Sequence, residues 1–202
     1  MKSIKTLVVV AGLWCFSLVY AAGSPVPMLE QTANQIINTL KDNKANLKKN
    51  PQIIYQAVEK NLLPIVDVPG MSRSVLGRQA WTKATPAQRA KFSQEFTRLV
   101  IRTYSSPLAQ YSDEKVQFLP VRGVINSRFI RVNSVIVRSQ GQNIPLTYSL
   151  VDKNGAWRIY DISVEGVSLL QSFRSQFAQV LQNSTIDEVI HQMQNNQLKK
   201  VS

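Results

Sequence analysis

The side chains that could carry chemistry are few. The 202 residues contain one histidine, His191, and one cysteine, Cys15. A transition-metal site needs several imidazole or thiolate ligands brought together, so the usual sites cannot be assembled here. A Ser-His-Asp triad would have to recruit His191, and no Gly-x-Ser-x-Gly turn exists to present a serine. Glycine patterns that cradle nucleotide phosphates are absent too. Two carboxylates remain, Asp161 and Glu165, in Trp157-Arg158-Ile159-Tyr160-Asp161-Ile162-Ser163-Val164-Glu165-Gly166. Buried in a hollow domain, Asp161 could act as a general base, because burial raises a carboxyl pKa toward neutrality. Alternatively it accepts hydrogen bonds and fixes the exit of a strand.

Charge is the second chemical resource. Lys plus Arg number 24 against 12 Asp plus Glu, and such basic chains meet the phosphates of nucleic acids or of lipids. The N-terminus decides between them. Lys2 and Lys5 precede a mostly apolar stretch from Leu7 to Tyr20, and Val19 and Ala21 place small residues before a cleavage point. This is the pattern of a secretory signal over residues 1–21, and it falls short of the roughly 20 apolar residues of a spanning helix. Trp14 ahead of Cys15 is too bulky for a lipoprotein processing site. Cleavage leaves residues 22–202 as one domain without a thiol. It takes two of the 24 cations and leaves an excess of 10 over the 12 acids. Export makes nucleic acid a poor partner and leaves lipid phosphate and acidic protein surfaces. Hydrophobic residues make up 44% of the chain, enough for a core that needs no disulfides.

The elements that must position these groups follow from period and punctuation. Leu29, Ala33, Ile36, Ile37 and Leu40 recur at helical spacing. Asn50-Pro51 opens a second helix bearing Ile54, Val58 and Leu62, which Pro64 stops. The segment from Leu63 to Gly70 holds two prolines and is expected as turns or very short helices, whose apolar side chains still need burial. Thr85-Pro86-Ala87-Gln88 is a capping box, opening a helix from Pro86 to about Tyr111 that Pro107 kinks or divides. From Lys115 the period becomes two, and four strands are expected: around Val116 and Phe118, Phe129–Val137, Ile144–Leu150 and Ala156–Val164. Turns at 140–143 and 152–155 join the last three as antiparallel hairpins. Helices return after Gly166 and again after Ser184 or Thr185, and the chain is expected to fray from about Asn195. The reading is an α+β domain, helices packed on one face of an antiparallel four-stranded sheet.

Several segments, in order and spacing, resemble the MlaC family of periplasmic phospholipid-binding proteins, also called the toluene-tolerance family. They are Asn50-Pro51 through Leu62-Leu63-Pro64, Val75-Leu76-Gly77 with Trp81, Ala84 through Arg89, and Trp157 through Tyr160-Asp161 to Glu165-Gly166-Val167-Ser168. The resemblance runs from about residue 28 to 193. It implies a soluble periplasmic shuttle and no enzyme, carrying a glycerophospholipid between an outer-membrane lipoprotein complex and the substrate-binding component of an inner-membrane ABC transporter. Such a carrier maintains the lipid asymmetry of the outer membrane. The resemblance also implies a curved sheet under a helical layer, with an apolar lipid cavity between them and the phospholipid as cargo rather than cofactor. A monomer is expected.

Stripe position then nominates a cavity wall. From the helical half it takes Val66, Val75, Leu76, Phe96, Val100 and Tyr104. From the strands it takes Val116, Phe118, Val132, Leu146, Tyr148, Leu150, Tyr160 and Ile162. Arg73 and Arg78 are candidates for contact with a headgroup or a partner, and Arg122, Arg128 and Arg131 are alternatives near the strands. The competing readings are an exported enzyme that uses Asp161 as general base and an interaction module with a solid core.

Overall fold

A computed structural model describes residues 23–110, 113–121 and 128–198. The segment read as an export signal lies outside the described residues, as do Tyr111 and Arg122.

Five helices come first: α1 (Val26–Asp42), α2 (Gln52–Asn61), α3 (Val68–Leu76), α4 (Arg78–Lys83) and α5 (Pro86–Leu108). A 3-10 turn at Leu63–Ile65 sits between α2 and α3. The strands β1 (Lys115–Phe118), β2 (Phe129–Val137), β3 (Ile144–Lys153), β4 (Ala156–Val164) and β5 (Val167–Ser168) form one antiparallel meander in chain order. Helices α6 (Leu169–Val180) and α7 (Ile186–Gln194) close the fold.

The local punctuation acts as its residue types require. The Asn50 side chain accepts the Gln52 N–H at 3.2 Å just ahead of α2, but the N-cap position itself is Pro51, one residue later than the Asn50-Pro51 pair suggested. Reciprocal capping boxes open α5 through Thr85 and Gln88 and α7 through Thr185 and Glu188. Helix α5 ends at Leu108, short of the expected Tyr111, and carries Pro107 inside its last turn, where the Ala109 N–H still reaches the Ser105 carbonyl at 2.8 Å. The Asn154-Gly155 hairpin has both residues at positive φ, 56° and 81°, and Asp152 accepts the Gly155 N–H. The sheet has five strands where four were expected. Glu165 and Gly166, again both at positive φ, fold the chain back so that Val167 and Ser168 pair with Val164 and Ser163. A two-residue strand leaves no period for sequence to show.

Packing divides the apolar interior into three clusters. In the first, Phe92 and Phe96 of α5 meet Phe173 and Phe177 of α6, with edge contacts at 5.3 Å between ring centroids. Each fully buried ring contributes about 2–3 kcal/mol. Val189, Ile190 and Met193 of α7 join this cluster, and so does Leu198, which keeps residues 196–198 on the core where fraying was expected. The second sets Leu29 of α1 against Ile130, Val132, Leu150, Trp157 and Ile159 of the sheet. The third gathers Leu40, Leu47, Ile54, Val58 and Ile101 between α1, α2 and α5.

Two buried carboxylates tie helices to β4. Asp67 caps α3 by accepting the Gly70 N–H at 3.1 Å, pairs with Lys153 Nζ at 2.5 Å, and donates its own N–H to the Ile159 carbonyl at 2.8 Å. Residue 70 is glycine because a Cβ there would sit 2.0 Å from the Asp67 carboxylate. Two residues further along β4, Asp161 accepts the Ser168 hydroxyl at 2.6 Å and the Leu170 N–H at 3.0 Å, which fixes the start of α6. Asp161 is thus a structural acceptor with both oxygens engaged. Asp161→Ala should cost about 2–3 kcal/mol in urea unfolding and Asp161→Asn less, since an amide keeps one acceptor. Unchanged midpoints for both variants would remove Asp161 from this role.

Candidate functional site: an apolar cleft between the helices and strand β4

Between the helical layer and β4 lies a cleft of about 80 Å³. Val58, Leu62, Leu63, Val66, Val68 and Met71 line it from α2 to α3. Phe96, Thr97, Val100 and Ile101 line it from α5, and Ile159, Ile162 and Leu169 from β4 and the start of α6. Thr97 alone carries a polar side-chain atom, and its hydroxyl donates to the Ser93 carbonyl at 2.9 Å. The wall therefore offers hydrocarbon and a thioether and no group to ionise, coordinate or attack. It can hold apolar matter and do little else.

Local geometry on β4 explains which side chains reach the cleft. Strict alternation would put Tyr160 and Ile162 on one face. Leu150 pairs with Ile159 and Ser149 with Asp161, so Tyr160 is the extra residue of a β-bulge. The bulge resets the alternation and turns Ile159 and Ile162 into the same cleft. Tyr160 packs instead against the aromatic cluster and edge-on to Phe129, with centroids 5.9 Å apart.

Of the nominated wall, Val66, Phe96, Val100 and Ile162 line the cleft. Val132 and Leu150 are fully buried beside it in the second cluster, where Phe118 stacks on Tyr148 at 5.8 Å. Val75 and Leu76 are closed into the first cluster, and half-buried Tyr104 packs on its edge. Val116 and Leu146 are half-buried at the strand ends and do not line the cleft. Sequence reasoning missed Leu62, Leu63, Val68 and Met71 as wall, although Leu63 and Val68 lie in the two-proline segment Leu63 to Gly70, whose apolar side chains required burial. It also missed Ile159, which the bulge alone reveals.

Arg73 and Arg78 are exposed on α3 and α4, and neither lines the cleft. Arg78 and Lys83 instead border a separate groove between α4 and the α6–α7 connection. Arg128 stacks over Phe129, and Arg131 is exposed on β2. His191 is exposed, with the Asn195 amide against its ring nitrogens at 3.0–3.1 Å. Among the described residues no group of His, Cys, Asp or Glu is placed to hold a metal ion, and no helix is long and apolar enough to cross a membrane.

Burial pushes the Tyr148 hydroxyl above its ordinary pKa of 10.0, with Ser134 beside it opposing the shift, and burial raises Tyr104 as well. A phenol that is harder to ionise when folded contributes stability that is present below about pH 10 and is lost as pH rises through the raised folded value. Urea midpoints should therefore fall above pH 10, and Tyr148→Phe should flatten that fall. An unchanged slope in the variant would refute the assignment.

Comparison with known proteins follows the same outline. The chain is 29% identical over 170 residues to the toluene tolerance protein ttg2D of Pseudomonas putida, covering 84% of this chain and 79% of that protein. It is 29% identical over 178 residues to the intermembrane phospholipid transport system binding protein MlaC of Haemophilus influenzae, covering 86% and 82% respectively. Its fold matches a phospholipid-binding protein from Ralstonia solanacearum, solved in complex with a phospholipid, at a TM-score of 0.79. That match has 23% identity and covers 87% of this chain and 99% of the other. The family model for MlaC protein matches residues 30–195, and with that span matched the chain belongs to the MlaC family.

Proposed function

We propose that this protein is a soluble periplasmic carrier of glycerophospholipid and not an enzyme. The observation that carries the reading is the cleft, walled by hydrocarbon from α2, α3, α5 and β4, in a chain whose relatives are named for phospholipid transport and toluene tolerance. The enzyme reading loses its base, since both Asp161 oxygens are engaged at the start of α6 and Asp161 does not line the cleft.

The energetics say why a carrier is required. Two acyl chains hold about 30 methylene groups, worth on the order of 20 kcal/mol of transfer from water before binding costs are subtracted. Unassisted diffusion through the periplasm is therefore negligible. A void of about 80 Å³ has room for on the order of six water-sized groups, so the helical layer and the sheet must part to admit two chains. Loading and release then belong to docking, where a partner supplies an apolar path. The proposed partners are the substrate-binding component of an inner-membrane ABC transporter and an outer-membrane lipoprotein complex. The carrier acts as a monomer after cleavage of residues 1–21.

Native mass spectrometry of protein purified without detergent tests the carrier role. A retained mass matching a phospholipid supports it, whereas well-folded protein that is lipid-free and fails to take up lipid from vesicles would exclude it. Arg73 and Arg78 do not line the cleft, which leaves partner docking as their proposed role. Replacing both with glutamine should slow lipid transfer between partners severalfold at low salt, the effect fading as salt screens it. Equal transfer rates at low salt would dismiss them.

A further inference from the structure

The seam where α2 meets α5 changes character along its length. On α2, Gln52, Tyr55, Val58 and Leu62 recur every three or four residues and form one ridge. Val58 and Leu62 at its inner end line the apolar cleft. Gln52 and Tyr55 at its outer end line a second depression of about 490 Å³, together with Arg98, Arg102 and Ser105 of α5. Ile101 lines both. One buried isoleucine is thus the boundary between a hydrocarbon site and a cationic one.

The charges at the outer end favour an anion. Arg98 and Arg102 are one helical turn apart and exposed, and no acidic residue lines the depression. Glu95, on the same helix, is buried. It takes Arg98 Nη1 at 3.1 Å but is shared with Lys91 Nζ at 3.4 Å and the Gln194 amide at 3.3 Å, and Arg98 also bonds the Tyr55 hydroxyl within the depression. Arg102 has no carboxylate partner among the described residues, and its one hydrogen bond there is a long 3.4 Å contact with the Met193 carbonyl. Lys48 lines an adjoining hollow that shares Pro51 and Ser105 with the depression. The Ser105 hydroxyl is engaged with the Arg102 carbonyl, and the guanidinium groups are the charged donors that line the depression.

We propose that this outer end is a phosphate subsite, where Arg98 and Arg102 hold the phosphodiester of a glycerophospholipid whose acyl chains pass Ile101 into the cleft. The inference rests on the carrier reading above. In such a lipid the phosphate lies only a few bonds from the first acyl methylenes, so a subsite for it must adjoin the apolar site directly. The shared wall at Ile101 meets that requirement. A guanidinium pair also suits the ligand, since each fork can bind two phosphate oxygens without discriminating what is esterified beyond them.

The test uses the whole exported chain, stripped of lipid and offered phosphatidylglycerol vesicles or vesicles carrying diacylglycerol with the same acyl chains. Bound lipid is counted by mass spectrometry. Arg98→Gln with Arg102→Gln should lower phospholipid uptake about tenfold or more and leave diacylglycerol uptake unchanged. Arg102→Gln alone leaves the Glu95 pair intact and serves if the double variant unfolds; it should show the same selective loss to a smaller extent. Unchanged phospholipid uptake, or an equal loss of both lipids, overturns the subsite while leaving the carrier reading in place. Phosphorus NMR with inorganic phosphate provides the other arm: saturable binding at these arginines as tight as that of the lipid would make the site one for free phosphate and overturn the proposal. Wild-type protein that takes up neither lipid overturns the carrier reading and the subsite with it.

Discussion

The arrangement depends on one buried carboxylate. Asp67 stands where the helical half meets the sheet, and three independent bonds converge on it: the cap of α3, the ion pair with Lys153 of the β3–β4 hairpin, and the backbone link to Ile159. A buried charge is costly unless its lone pairs are satisfied, and Asp67 is both paired and hydrogen-bonded. The adjacent parallel bridge from Val66 to Ile159 extends the tie along β4. Helices α3 and α6 pack on β4, and α1 packs on β1. Helix α5 packs on α7, α3 and α2, and through Phe92 and Phe96 on the phenylalanines of α6. The layers are joined at β4 by α3 and α6 and on the sheet face by α1, and the cleft lies where α5 faces Ile159 and Ile162.

The bulge at Tyr160 does the complementary work on the strand. It bends β4, adds to the curvature of the sheet, and sends two isoleucines three residues apart into one space. The displaced tyrosine is taken up by the aromatic cluster rather than by the cleft. A single extra residue in one strand thus decides which β4 side chains line the site.

Charge has a different relation to function. The excess of cations in the sequence is spread over exposed helix and strand positions, and little of it touches the apolar wall. Its local arrangements differ in what they can do. Arg89 stacks on Trp81 and bonds the Trp81 carbonyl, a structural use. Lys44 pairs with Asp113 on the surface, where solvent weakens the pair. Arg98 and Arg102 are distinguished by sharing a depression that meets hydrocarbon at Ile101.

The sequence by itself determined the α+β class, the capped starts of α5 and α7, the Asn154-Gly155 hairpin and the poverty of catalytic groups. These are set by neighbours within a few residues, where Thr85 meets Gln88 or Asn154 adopts positive φ, and such chemistry is written in order along the chain. The family segments were legible for the same reason. Only the tertiary structure decided which apolar side chains fill a core and which face a void. Val75 and Val100 both sit on apolar stripes, yet Val75 is sealed among helices and Val100 looks across to β4. Tyr160 and Ile159 exchanged roles through one bulge, and Ile101 became a boundary because α2 crosses α5 there. Periodicity records which side of an element is apolar; the distance between the layers that those sides face is set by long-range ties such as Asp67 to Lys153, far apart in the chain.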